Sequence, residues 1–274
     1  MYLLVASEPD IASMRIRDAL HSIVDWEVAG EFEGFPVYRH KNFLMLTMKQ
    51  LHIYAENFDL KARDAGLEFE KIIVLSRHKS ETGIPTLTVH PLGNFSKAEF
   101  GGRDFEVAPA APELMGSALR KMFFLGRGMD YKISLEVTHH GPYVETPIMF
   151  IEIGSNEERW RDGKAAEVIA RTVLEIEERR YPVVVGFGGG HYAPRFTEMV
   201  LGKKLNFAHM VPEYAVPALT PETLGKVLSK PKPDYVYIHE KGLKKEALRR
   251  VEELLASFTV PRCSSNDFEQ LEEH

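Results

Sequence analysis

Cysteine is almost missing from this 274-residue chain, which carries Cys263 and no other. A lone thiol excludes an internal disulfide and every zinc-finger pattern of paired thiolates, so any metal has to be held by histidine and carboxylate. Long apolar runs are missing too. Val183–Val185 and Ile72–Leu75 are strand-sized, far below the roughly 18 residues that a membrane helix requires, and no membrane association is expected. The opening MYLLVASEPD has no basic stretch and turns polar at Ser7. It reads as a first strand rather than a signal peptide, which implies the cytoplasm. Repeats, low-complexity stretches and convincing linkers are also lacking. Residues 1–274 are therefore expected to form a single α/β domain with a Gly/Ala/Pro-rich surface excursion at about 93–111.

Net charge is −6, which would repel polyanions if it were spread evenly. Lys and Arg are instead clustered at Arg120-Lys121, Lys203-Lys204, Lys230 with Lys232, Lys244-Lys245 and Arg249-Arg250. Each cluster alone is an ordinary solvated face, but such patches can hold nucleic acid locally.

What is present is alternation. Tyr2–Ala6 reads as a strand, Pro9–Ile23 has helical spacing, and Phe35–His40 with Phe43–Met48 reads as a hairpin turning at Lys41-Asn42. Lys71–Leu75 and TLTVH are strands joined by a polar loop, and a helix is expected from about Pro112 to Leu125. Tyr131–His139 and Pro147–Ile153 suggest an antiparallel pair, followed by one long helix from about Asn156 to Arg180. Then come strand 182–187, helix 194–201, strand 205–209, helix 220–228, strand Tyr235–His239 and a last helix Leu243–Phe258. This βαβαβα order argues for a largely parallel sheet covered by helices on both faces, with an antiparallel element from the 131–153 pair.

Several of the 11 histidines fall just past expected strand ends: His78, His139 and His140, His191, His209 and His239. Ligands of open α/β sheets bind outside the carboxyl ends of the strands, where such groups converge. His239, beside a polar turn, reads as a satisfied histidine, and His52 carries no supporting context. Successive strand residues point to opposite faces, so only one of His139 and His140 is expected in a given site unless Gly141-Pro142 redirects the chain. Glu145 and Glu136 are nearby carboxylates able to orient a ring nitrogen or complete a metal shell. GFGGGH at 186–191 fits neither G-x-G-x-x-G nor GK[ST]. Its Gly188, Gly189 and Gly190 are expected to let a ligand approach the backbone and to point N–H groups at an oxyanion. Tyr192 would add a stacking surface and Arg195 a cationic fork. The loop Arg77–Thr82 is rich in reactive side chains and reads as a binding element.

The combination SRHKSETGIPTLTVHPLGN at 76–94, VTHHGP at 137–142, ETPIMFIEIGS at 145–155, GGGHYAPRFT at 188–197 and HMVP at 209–212 resembles the archaeal and plant type of D-aminoacyl-tRNA deacylase. The similarity keeps one order over roughly residues 2–270, with 95–111 and the tail after Phe258 unassigned. The resemblance implies hydrolysis of the ester between a D-amino acid and the terminal ribose of tRNA, so that mischarged tRNA is recycled. It also implies a three-layer α/β/α sandwich around a mixed, largely parallel sheet, phosphorylase/hydrolase-like and similar to peptidyl-tRNA hydrolase.

Zinc is implied as cofactor, drawn from His78, His90, His139, His140, His191 and His209, of which His90, His139 and His209 are the metal candidates. Ester hydrolysis needs a nucleophilic water, a proton acceptor and oxyanion donors. His78, His140 and His191 are expected to line the reaction centre, with Glu145 orienting one of them. Lys79, Ser80, Tyr192 and Arg195 are expected to hold the terminal adenosine and its phosphates, and Gly188–Gly190 to receive the oxyanion. The partner implied is tRNA; no obligate protein partner is evident, and a monomer is expected. Two other classes fit some of the same residues: a zinc peptidase or amidohydrolase, and a noncatalytic RNA- or nucleotide-binding protein.

Overall fold

The computed structural model describes residues 1–272. Its strands are β1 (Tyr2–Ser7), β2 (Glu27–Phe32), β3 (Phe35–His40), β4 (Phe43–Met48), β5 (Lys71–Lys79), β6 (Thr86–His90), β7 (Gly93–Asn94), β8 (Glu106–Val107), β9 (Lys132–Leu135), β10 (Ile148–Ser155), β11 (Val183–Phe187), β12 (Asn206–Val211), β13 (Tyr235–Ile238) and β14 (Arg262–Cys263). Its α-helices are α1 (Ile11–Ile23), α2 (Phe58–Asp64), α3 (Pro112–Leu125), α4 (Glu157–Trp160), α5 (Gly163–Leu174), α6 (Pro194–Gly202), α7 (Pro221–Val227) and α8 (Lys245–Leu255).

Eight strands form a mixed sheet in the order β2-β3-β4-β1-β5-β10-β6-β9, and four form an all-parallel sheet in the order β12-β11-β13-β14. β4, β1, β5 and β10 run parallel through the middle of the first sheet. Strands covered on both faces need no polar alternation, which is why YLLVAS can bury Leu3, Leu4, Val5 and Ala6 completely. Helix α1 starts where Asp10 accepts a bond from Ser13 N at 3.0 Å, and it buries Ala12, Ile16 and Leu20 along one stripe. Helix α5 starts at Asp162, which caps Lys164 N at 2.8 Å, and it buries Ala165, Ala166, Ile169 and Val173. Side chains of α1, α3 and α5 share one buried cluster with the second sheet. The opposite face of the first sheet has its own cluster, closed by Phe58 and Ala62 of α2 with Leu92, Ala108 and Val144. The fold class is thus a largely parallel mixed sheet with helices on either side.

Lateral order departs from the sequence reading in one consequential place. β9 and β10 do not pair; β6 lies between them, antiparallel to β10 and parallel to β9. Two sheets also replace the one expected, joined by the segment after β9: Glu136 bridges to Tyr192, and Val137 N and Thr138 N donate to the His191 and Met210 carbonyls, each at 3.0 Å. The long helix expected over 156–180 breaks into α4 and α5, because the Asp162 carboxylate takes the free amide groups of a new first turn. β2 was not legible because five of its six residues are exposed, which removes the apolar signal. The 93–111 excursion is no loose surface loop, since it buries Phe95, Val107, Ala108 and Ala110.

Candidate active site

The site is built where β5, β6 and β10 meet the segment after β9. His78 lies next to the end of β5, opposite Gly154 of β10. A Cβ at Gly154 would fall 2.2 Å from Thr86 Oγ1 and 3.1 Å from the His78 ring, so the glycine is what lets that ring lie across the neighbouring strand. Two residues earlier on β10, Glu152 accepts from Ser76 Oγ at 2.8 Å. His90 stands opposite Phe150 at the end of β6. Glu136, His139 and His140 follow β9, and the left-handed φ of His140, 40°, ends the alternation that would have sent the two histidines to opposite faces. Both therefore line one cavity, of about 660 Å³, together with His78, Lys79, Glu152 and His191.

The two carboxylates are buried completely or nearly so: Glu136 is 0 % and Glu152 1 % exposed. Glu136 lies 3.3 Å from His78 Nδ1, 3.5 Å from His139 Nε2 and 3.0 Å from His191 Nε2. Glu152 lies 3.6 Å from both His78 Nδ1 and His90 Nε2. These are ion-pair distances, yet neither oxygen of Glu136, nor Glu152 Oε2, nor His90 Nε2 has a partner in hydrogen-bond geometry. Unpaired buried carboxylate oxygens are costly, and they call for a cation.

The imidazoles show which kind of cation fits. His90, His139 and His140 each place Nδ1 against a main-chain carbonyl, those of Pro91, Val137 and Gly141, at 3.1, 2.7 and 2.6 Å. A carbonyl only accepts, so each ring spends its N–H there and keeps a bare Nε2 lone pair, the form in which histidine binds metal. Donor atoms of His90, His139 and His140 lie within 4.8 Å of one another, as do those of His78, Glu136 and His191, and of His90, Glu136 and Glu152. Nitrogen and oxygen donors without thiolate form a donor set suited to a divalent metal ion.

Electrostatics divide the ring of histidines. Burial opposes charge on His78, but the nearby Glu152 and Glu136 carboxylates outweigh it and push it up to about 9. Burial likewise opposes charge on His90, and Glu152 again outweighs it. Burial and the neighbouring His90 push His140 down to about 3, and His139 is lowered well below the usual range by burial and the imidazoles around it. Glu152 is held well below the usual carboxylate range: burial acts against this, but His90 and His78 prevail. A protonated His90 Nε2 would still stand 3.6 Å from the Glu152 oxygen, outside hydrogen-bond distance, so a coordinated cation satisfies this wall better.

Comparison with known proteins places the chain in a family. Residues 65–262 match the family model described as D-aminoacyl-tRNA deacylase. The chain belongs to the D-aminoacyl-tRNA deacylase family. The D-aminoacyl-tRNA deacylases of Archaeoglobus fulgidus and Thermococcus kodakarensis are each 38% identical to it, over 92% and 90% of this chain and 92% and 93% of theirs. That of Methanococcoides burtonii is 35% identical over 98% of this chain but is longer, the match spanning 58% of its length. A crystal structure described as a conserved protein of unknown function, AF0625, superposes with a TM-score of 0.92 at 36% identity, covering 99% of both chains.

Within this deacylase chain the expected residues separate into two groups. His78, His140 and His191 share the cavity, with His78 and His191 rings 5.4 Å apart, and the His90 and His139 rings lie beside them, tilted, with centroids 4.1 Å apart. Tyr192 belongs to the cluster through its hydroxyl, 2.9 Å from His78 Nε2. Its ring makes T-shaped contacts with His78 and His191 and has the Lys132 ammonium 5.0 Å from its centroid. Ser80 sits past the end of β5, its hydroxyl 2.9 Å from that of Thr82.

The others lie elsewhere. Glu145 is exposed and only its main-chain N–H is engaged, by Asp59; Glu136 and Glu152 occupy the place expected for it. His209 is a core histidine, its two nitrogens taken by Thr138 Oγ1 at 3.1 Å and the Lys230 carbonyl at 2.9 Å. Burial pushes it down to about 4. Arg195 is tied to Tyr237 and Glu198 on and beside α6. The Gly188 and Gly189 N–H groups already donate to Val211 and Gly242 carbonyls at 2.8 Å, and a Cβ on Gly188 would meet the His239 carbonyl at 2.8 Å. These glycines serve close packing against the 239–242 turn rather than an oxyanion; Gly190 alone has open space.

Two groups escaped the sequence reading. Glu152 was visible as a single carboxylate inside the apolar strand IMFIEIGS, a residue with no reason to be buried unless paired. His52, 1 % exposed, bonds Asp10 Oδ2 through Nε2 at 3.1 Å, and both line the cavity.

Proposed function

We infer that this site hydrolyses the ester of D-aminoacyl-tRNA, releasing free D-amino acid and tRNA, and that it does so with zinc, as a monomer in the cytoplasm. The observation that carries the reading is the buried pair Glu136 and Glu152, whose unpartnered oxygens lie at ion-pair distance from His78, His90, His139 and His191, with Glu152 and three of those histidines lining the cavity. His90, His139 and His140, with Glu152, would hold the ion. When bound, zinc supplies a Lewis acid for the ester carbonyl.

The chain's own groups do the rest. Glu136 has two oxygens free of donors and is placed to take the proton of the attacking water. His78, facing both carboxylates with Nδ1 and held at Nε2 by the Tyr192 hydroxyl, is placed to take that proton at Nδ1 and release one from Nε2 through the Tyr192 hydroxyl to the ribose oxygen that leaves. His191, with a third of its side chain exposed at 33%, meets substrate at the mouth. Lys79 at the rim offers its charge to the tRNA backbone.

The reading is tested with D-tyrosyl-tRNA and L-tyrosyl-tRNA, each with and without chelator. Rapid hydrolysis of the D ester alone, abolished by chelator and restored by zinc, is expected. Equal rates on both esters would overturn the chiral assignment, and indifference to chelator would overturn the metal.

A further inference from the structure

The cavity rim carries two aromatic side chains that the hydrolytic cluster does not use. Tyr54 is 52 % and Phe100 60 % exposed, and both line the cavity. Neither stacks on another aromatic ring among the described residues. Large apolar faces left open beside a polar site are the features that bind flat ligands.

Their positions are held by main chain rather than left to a floppy loop. Tyr54 ends the single turn His52–Tyr54. The Phe100 carbonyl accepts from Gly141 N at 3.0 Å. Gly101, at φ 70°, leaves no room for a side chain, since its Cβ would fall 1.7 Å from the Ile53 carbonyl oxygen. Glu56 then ties both segments, accepting from Gly102 N at 2.8 Å and Tyr143 N at 3.1 Å. The excursion that carries Phe100 is thus clamped between the turn bearing Tyr54 and the turn that follows His140. Arg77 and Lys79 line the same cavity and form no ion pair among the described residues.

An exposed aromatic pair beside Lys79 and Arg77, whose guanidinium lies 4.9 Å from the Trp160 ring centroid, and an ester-cleaving centre match one end of one substrate. A nucleobase offers a π-face, its phosphate takes a cation, and the ribose ester lies between them and the histidines. We propose that Tyr54 and Phe100 form the stacking platform for the 3′-terminal adenine of tRNA, with Arg77 and Lys79 receiving the adjoining phosphate. The proposal rests on the deacylase reading and replaces Tyr192 and Arg195 in the role expected of them.

The test is a cycle of two enzymes and two substrates: wild type and Tyr54→Ala/Phe100→Ala, each on D-tyrosyl-tRNA and on the same tRNA ending in a D-tyrosylated abasic ribose. Wild type is expected to show a KM raised roughly five- to hundredfold on the abasic substrate, the range that loss of base stacking gives. The double variant should show that raised KM on both substrates, with kcat and metal content kept, and Phe100→Trp should restore most of the affinity. A double variant that still distinguishes the two substrates as wild type does, or that loses kcat alone, overturns the platform. Failure of wild type to hydrolyse intact D-tyrosyl-tRNA would instead overturn the underlying reading.

Discussion

His78 Nδ1 stands between two buried carboxylates, 3.3 Å from Glu136 and 3.6 Å from Glu152. No hydrogen bond joins the two acids, and one imidazole does not satisfy both. The two carboxylates are balanced by the His78 and His90 imidazoles, both raised above the usual histidine range, and that balance shapes the behaviour expected of the variants.

Glu152→Gln should lower activity at least a hundredfold and weaken zinc binding ten- to a hundredfold, the cost typical of altering a group that supports a metal ligand. In chelated protein the same change leaves the His78 and His90 imidazoles without the carboxylate that balances them and should lower Tm. Metal analysis and paired melting curves check this; a variant that binds zinc like wild type would remove Glu152 from the site.

Tyr192→Phe deletes the hydroxyl that holds His78 Nε2. A fall in kcat of roughly five- to tenfold is expected, the worth of about 1 kcal/mol from one hydrogen bond, with KM for tRNA little changed. A large rise in KM with kcat kept would return Tyr192 to a stacking role.

His209 and His90 should part company. His209→Ala leaves Thr138 and the Lys230 carbonyl without their partner, so about 1–3 kcal/mol of stability should be lost while zinc content holds. His90→Ala should lose zinc and activity together. Chemical denaturation with metal analysis on both variants decides the matter.

Acid sensitivity should come in part from Glu106. Burial opposes its charge, but bonds from Lys230 and Lys226 outweigh it and hold its carboxyl below the usual range. A depressed carboxyl contributes stability that is full above its unfolded pKa, near 4.5, and that fades as pH falls through the lower folded value. Glu106→Gln should therefore flatten stability against pH below that point and leave the neutral limb parallel to wild type. Urea midpoints from pH 3 to 7, roughly, test it; an unchanged acid slope would show that the lysines do not act through this carboxyl.

By itself the sequence determined the alternation of strands and helices, since apolar runs such as YLLVAS and KIIVL can be satisfied only by a sheet covered on both faces. It also placed His78, His139, His140 and His191 at strand ends, and the Cys-poor composition left histidine and carboxylate as the metal donors. Only the tertiary structure decided which of these meet. Lateral strand order is not written in chain order: the insertion of β6 between β9 and β10 carries His90 to Glu152 and sets Glu136 against His78. Glu145 and His209 look equally eligible by type and neighbourhood, yet one faces solvent and the other spends both nitrogens in the core. Convergence depends on side-chain direction and packing across strands distant in sequence, and local patterns carry no record of either.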